Sequence, residues 1–124
     1  MSRPRKSLVV DILAPDGSVR CAKCRLRAST YQSNGNLAIE ATCADGEPWG
    51  VLTVNPGFPI NDDCVCVKDY SEGAGNLKTL EAAGLIETPP VRLEPSGFVM
   101  LPICRLTEKG KAFVARAIRK REKA

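Results

Sequence analysis

Six cysteines and a complete lack of histidine frame the chemistry open to this 124-residue chain. Cys21 and Cys24 stand at C-x-x-C spacing and Cys64 and Cys66 at C-x-C. Four thiolates in that pattern are a zinc-type donor set, and C-x-x-C is also a redox spacing. The surrounding residues point elsewhere. Cys21 and Cys24 fall inside an alternating strand pattern, where positions three apart face opposite ways. Only Ala22 and Lys23 separate them, with no Gly or Pro to turn a knuckle. Cys64 and Cys66 share a strand face but are left without a second pair. A redox pair belongs at a helix N-terminus, where the dipole lowers the thiol pKa, and that is not this setting. No secretion signal precedes them, so disulfides are not expected either. The cysteines read as buried, reduced, small apolar side chains, and no metal or other cofactor is expected.

The remaining candidates for catalysis are weak. Without histidine, Ser71 in the run Asp69-Tyr70-Ser71-Glu72 has no ordinary activating base. Asp62-Asp63 is a carboxylate pair suited to a cation, but adjacent acids in a Pro/Gly loop more often serve turns and caps. Gly73-Ala74-Gly75 lacks the further glycine or lysine of a phosphate-binding loop. The expectation is a protein that is not an enzyme.

The elements that carry these residues are legible from periodicity. Residues 7–13 form an apolar run, closed by the turn residues Ala14-Pro15-Asp16-Gly17-Ser18. Residues 19–31 alternate, with Ala22, Cys24, Leu26 and Ala28 on one face and Lys23, Arg25, Arg27 and Ser29 on the other. Asn34-Gly35 signals a hairpin, Leu37, Ile39, Ala41 and Cys43 alternate after it, and residues 49–54 follow the next turn as a strand. This is an antiparallel meander of three strands, to which the first run adds a fourth. After a loop at 55–63 and a short strand at 64–68, the period changes. Leu77, Leu80, Ala82, Ala83 and Leu85 suit a short helix ended by Gly84. Residues 98–106 predict a strand in which Pro102 demands an edge or a bulge. Thr107 caps a last helix whose stripe is Phe113, Val114, Ala117 and Ile118. The fold class is α+β: an N-terminal antiparallel sheet with two helices in the C-terminal half.

Charge divides this chain further. The net charge of +4 conceals basic ends, carrying Arg3, Arg5 and Lys6 at one terminus and Arg116, Arg119, Lys120, Arg121 and Lys123 at the other. The body between them is slightly acidic. A basic tail at 1–6, a single domain at 7–118 and a basic helix end at 119–124 describe the organisation. No run is apolar enough to span a membrane or serve as a signal peptide, so a cytoplasmic setting is expected.

Two resemblances bear on function. Leu80-Glu81-Ala82-Ala83-Gly84-Leu85, a hairpin-like stretch and Leu106-Thr107-Glu108 look like the wing region of winged-helix regulators. The strands stand where that fold needs its earlier helices. A wider likeness runs from about Tyr31 to Thr107. Asn34-Gly35, Leu37-Ala38-Ile39, Gly46-Glu47-Pro48, Leu52-Thr53-Val54-Asn55, Lys68-Asp69-Tyr70-Ser71-Glu72, Ser96-Gly97-Phe98 and Cys104-Arg105-Leu106-Thr107 carry it. In these runs the chain resembles a family of short bacterial proteins of unknown function, encoded by phages, plasmids and conjugative elements. That resemblance implies a mobile-element accessory and brings no activity with it. The expected function is therefore contact with a host protein or complex, for example to counter a host defence. Lys68, Asp69, Tyr70 and Glu72 are the expected recognition loop, with Tyr70 as its amphipathic anchor. The alternative is nucleic-acid binding through Lys23, Arg25 and Arg27 on the strand face together with Arg116, Arg119 and Lys120 on the last helix.

Overall fold

A computed structural model describes residues 8–123. The basic tail with Arg3, Arg5 and Lys6 lies outside the described residues. Alternating residues and glycine turns build the first sheet from β1 (Leu8–Leu13), β2 (Val19–Thr30), β3 (Leu37–Thr42) and β4 (Pro48–Val51). The order is β1-β2-β3-β4, all antiparallel, as the hairpin signals require. Three further strands, β5 (Cys64–Cys66), β6 (Arg92–Ser96) and β7 (Val99–Arg105), form a separate sheet in the order β5-β7-β6. Helix α1 (Asn76–Ala82) lies between β5 and β6, and α2 (Glu108–Lys123) ends the chain. The fold is thus α+β, with both helices in the C-terminal half.

One core joins these pieces. Ile12, Leu26 and Ile39 from the first sheet, with Leu52 just past β4, meet Val65 and Cys104 from the second, with Val67 and Leu106 just past β5 and β7. Leu80 and Leu85 from the α1 region and Val114 from α2 fill the remainder. Helix α2 lies on this inner face of β2, with Phe113 and Ile118 packed against the same core. A smaller cluster covers the other side of the second sheet, where Cys64, Cys66, Leu101 and Ile103 lie under Val54, Phe58, Ile60 and Tyr70.

Helix ends follow local chemistry. Gly84 turns left-handed (φ 76°) after α1, and Leu85 N–H returns to Leu80 O at 3.0 Å. That six-residue return is the expected glycine stop, with Leu85 folding back into the core. Thr107 Oγ1 accepts Gly110 N–H at 3.0 Å and so caps α2.

Three departures from the sequence reading have physical causes. Pro102 lies in β7, the central strand of its sheet, not at an edge. Its carbonyl accepts Val67 N–H at 2.9 Å just beyond the last β5 pair, Cys66 with Ile103, so the missing N–H falls where that ladder ends. Strand β6 carries Arg92, Glu94 and Pro95, a weak strand composition, and pairs with β7 over its full length nonetheless. Ala22, expected inside, is exposed, because β2 does not alternate through residues 21–24.

Candidate functional site

The run Lys68-Asp69-Tyr70-Ser71-Glu72 connects β5 to α1, and its polar groups are largely spent on that connection. Asp69 Oδ1 accepts Gly75 N–H at 3.0 Å and Leu77 N–H at 3.1 Å. It thereby satisfies two N–H groups at the start of α1, while Ser71 sits at positive φ (56°). Lys68 pairs with Glu72. The Lys68 ammonium beside it holds the Glu72 carboxyl well below the usual carboxylate range. Lys68 Nζ also lies 5.8 Å from the centre of the Tyr70 ring. Tyr70 packs over the smaller apolar cluster instead of standing free. The connection is tight as well: a Cβ on Gly75 would meet Leu13 O at 2.1 Å.

This connection borders an open cleft of about 370 Å³, lined by Arg20, Trp49, Leu52, Lys68, Glu72 and Asn76 among others. Its charged walls are engaged. The Arg20 guanidinium stacks 5.2 Å from the centre of Trp49 and donates to Glu72 O at 2.9 Å and Ala74 O at 3.3 Å.

The six candidate cations do not converge. Arg25 and Arg27 are exposed on the face of β2 turned away from the core, and Arg27 lies 4.0 Å from Glu40. Helix α2 covers the opposite face, so Arg116, Arg119 and Lys120, all exposed, stand on the other side of the sheet. Lys23 is exposed too, and its N–H donates to Asp11 Oδ1 at 3.0 Å. The cation that sequence reasoning passed over is Arg121. It donates to both oxygens of Asp62, at 2.9 and 2.8 Å, and to Gly35 O at 2.7 Å. That fork ties the end of α2 to the Asn34-Gly35 turn and lowers the Asp62 carboxyl pKa. Asp62, a candidate cation ligand by type, is thus an arginine partner.

The cysteines separate into two groups. Cys64, Cys66 and Cys104 are buried, and desolvation pushes their thiols to about 11, 11 and 12. These match the expected apolar role. Cys21 and Cys24 do not point apart. Val10 pairs with Cys24 and Ile12 with Cys21, so β2 carries one extra residue there. This β-bulge places Lys23 at φ 57° and brings the Cys21 and Cys24 sulfurs to 3.2 Å. Cys43, just past the end of β3, adds its sulfur 3.7 Å from that of Cys21. The three sulfurs lie within 4.8 Å of one another. Burial, and then the neighbouring Cys21 thiol, raise the Cys24 thiol to about 12. Nothing in the local sequence marks Cys43 as a third member, since it belongs to a different hairpin.

Four of the seven exposed large apolar side chains among the described residues lie on or beside one hairpin. Strands β6 and β7 form a hairpin whose two turn residues are Gly97 and Phe98, with Gly97 supplying a positive φ of 61°. The Phe98 side chain is fully exposed, at 108% of its reference area. Leu93 and Met100, on one face of the same hairpin, are 54% and 52% exposed, and Val91 is exposed beside them. No protein-family model, curated protein or solved structure matches this chain. Among the described residues no helix is long and apolar enough to cross a membrane.

Proposed function

We propose that this chain is a small non-catalytic binding protein that meets its partner on the β6–β7 hairpin. The observation that carries this reading is Phe98, a large aromatic at a hairpin tip where it contributes nothing to its own core. Leu93 and Met100 extend the apolar surface behind it. Aromatic anchors of this kind supply much of the binding energy at protein interfaces. The loop at Lys68, Asp69, Tyr70 and Glu72 is a poorer contact surface, because each of these side chains already has an intramolecular role. In the mobile-element setting implied by the sequence resemblance, the partner is a host protein or complex.

The test compares wild type with a Leu93→Ser/Phe98→Ser double variant as baits in a bacterial host lysate, after circular dichroism shows both are folded. Expected is a co-purifying protein retained by wild type and reduced at least about tenfold by the variant, the loss of hot-spot anchors. Equal recovery on both baits, or nothing retained by wild type, refutes the reading.

Helix α2 favours a second reading, nucleic-acid binding. Arg116, Arg119 and Lys120 follow helical spacing and are exposed together. With Arg25 and Arg27 on the opposite side of the sheet and Lys23 on the bulge, this reading rests on α2 alone. A gel shift at low salt that weakens steeply as salt rises supports it. No shift at low salt removes it.

A further inference from the structure

The bulge in β2 and the turn after β3 converge on one cluster of three sulfur atoms. A regular strand would send Cys21 and Cys24 to opposite faces. The extra residue and the left-handed Lys23 reverse that, a backbone conformation that L-residues seldom adopt. Asp11 Oδ1 holds the bulge by accepting Lys23 N–H at 3.0 Å. Cys43 is fixed from the other side. Its carbonyl accepts Gly46 N–H at 2.9 Å and its own N–H donates to Glu47 O at 2.7 Å, closing the tight turn at 43–47. Two donors on a bulge and a third at the mouth of a turn are thus held before any ligand arrives.

The spacing suits a metal. Tetrahedral zinc with sulfur at about 2.3 Å sets its sulfurs about 3.8 Å apart. The Cys21 and Cys43 sulfurs are at 3.7 Å, and the Cys21–Cys24 pair at 3.2 Å needs only a small opening. Three sulfurs with no competing imidazole select a soft, thiophilic ion over magnesium or calcium. Cys24 is fully buried, whereas Cys21 and Cys43 are partly exposed, so the cluster sits at the edge of the core with two of its three residues reaching solvent.

We propose that Cys21, Cys24 and Cys43 bind one zinc ion as three thiolates, with water at the solvent-facing fourth position. Each thiol releases its proton to solvent as its sulfur–zinc bond forms, so three protons leave per zinc bound. The bound unit carries one net negative charge, in a stretch flanked in sequence by Lys23 and Arg25. Cys64, Cys66 and Cys104 take no part. They are buried in the second sheet, with Cys64 and Cys66 in one apolar cluster and Cys104 in the other.

The full-length chain, reduced and stripped of metal, is titrated with Zn²⁺ in competition with a chromogenic chelator. One equivalent per chain is expected. Cys21→Ser and Cys43→Ser should each weaken binding more than about 100-fold, beyond what loss of an outer-shell group costs. Cys64→Ala should leave it unchanged. Co²⁺ in place of zinc should give thiolate charge-transfer absorption that Cys43→Ser diminishes. A measurement on the wild-type chain alone guards against a variant that fails to fold. Stoichiometric zinc should protect Cys21 and Cys43 from alkylation, mapped by peptide mass spectrometry. Substoichiometric binding, an equal loss in Cys64→Ala, or alkylation of Cys21 and Cys43 unaffected by zinc overturns the proposal.

Discussion

Gly110→Ala separates two opposing physical effects at one position in α2. Helix propensity favours alanine over glycine by up to about 1 kcal/mol. Packing opposes it. A Cβ on Gly110 would lie 2.1 Å from Leu85 O and 3.1 Å from Leu106 Cδ2. Relief requires α2 to retreat by about 1 Å from the segment that follows α1, an overpacking cost of about 1–3 kcal/mol. The same retreat strains the hydrogen bond from Thr107 N–H to Leu85 O, 3.0 Å long, which contributes about 1 kcal/mol. The balance is a net loss of about 1–3 kcal/mol, or roughly 4 °C in Tm for each kcal/mol in a chain of this size. Urea and thermal unfolding of wild type and Gly110→Ala measure it, with Lys111→Ala as the exposed neighbour expected to stay within about 0.5 kcal/mol. A Gly110→Ala protein as stable as wild type, or more so, would show that α2 does not approach Leu85 this closely.

Other consequences follow from single contacts. Asp69→Ala removes the acceptor for two N–H groups at the start of α1 and should cost about 1–2 kcal/mol in urea unfolding, whereas Ser71→Ala should cost little. The Asp62 carboxyl is held below its unfolded value by Arg121, so its stabilisation is complete above the unfolded pKa and is lost as pH falls through the folded one. Asp62→Asn should therefore narrow the stability gap between neutral and acid pH. The change should be less than about 1 kcal/mol, because this carboxylate is half exposed and screened. In the metal-free protein, Cys21 and Cys43 should react with a disulfide reagent well ahead of Cys64, Cys66 and Cys104, whose burial both hides the sulfur and keeps it protonated. Equal rates at all six positions would contradict the burial pattern.

Local pattern alone carried much of this molecule. The alternation of Leu37, Ile39 and Ala41, the turn residues between strands, Gly84 as a helix stop and the stripe of Val114 and Ala117 were each decided within a few residues of chain. Such features depend on backbone conformation and periodicity, which neighbouring residues specify. The long-range features depended on tertiary contact. Asp69 caps a helix six to eight residues onward, and Arg121 reaches Asp62 across 59 positions of chain. Pro102 is tolerated in a central strand because β5 stops opposite it. Above all, the sequence placed Cys21 and Cys24 on an unbroken strand and left Cys43 on another hairpin. One extra residue in the β1–β2 ladder brought the Cys21 and Cys24 sulfurs together, and the β2–β3 pairing of Arg25 with Thr42 set Cys43 beside them. Strand periodicity could not register it, because a bulge is set by how two strands pair and not by the residues of either one.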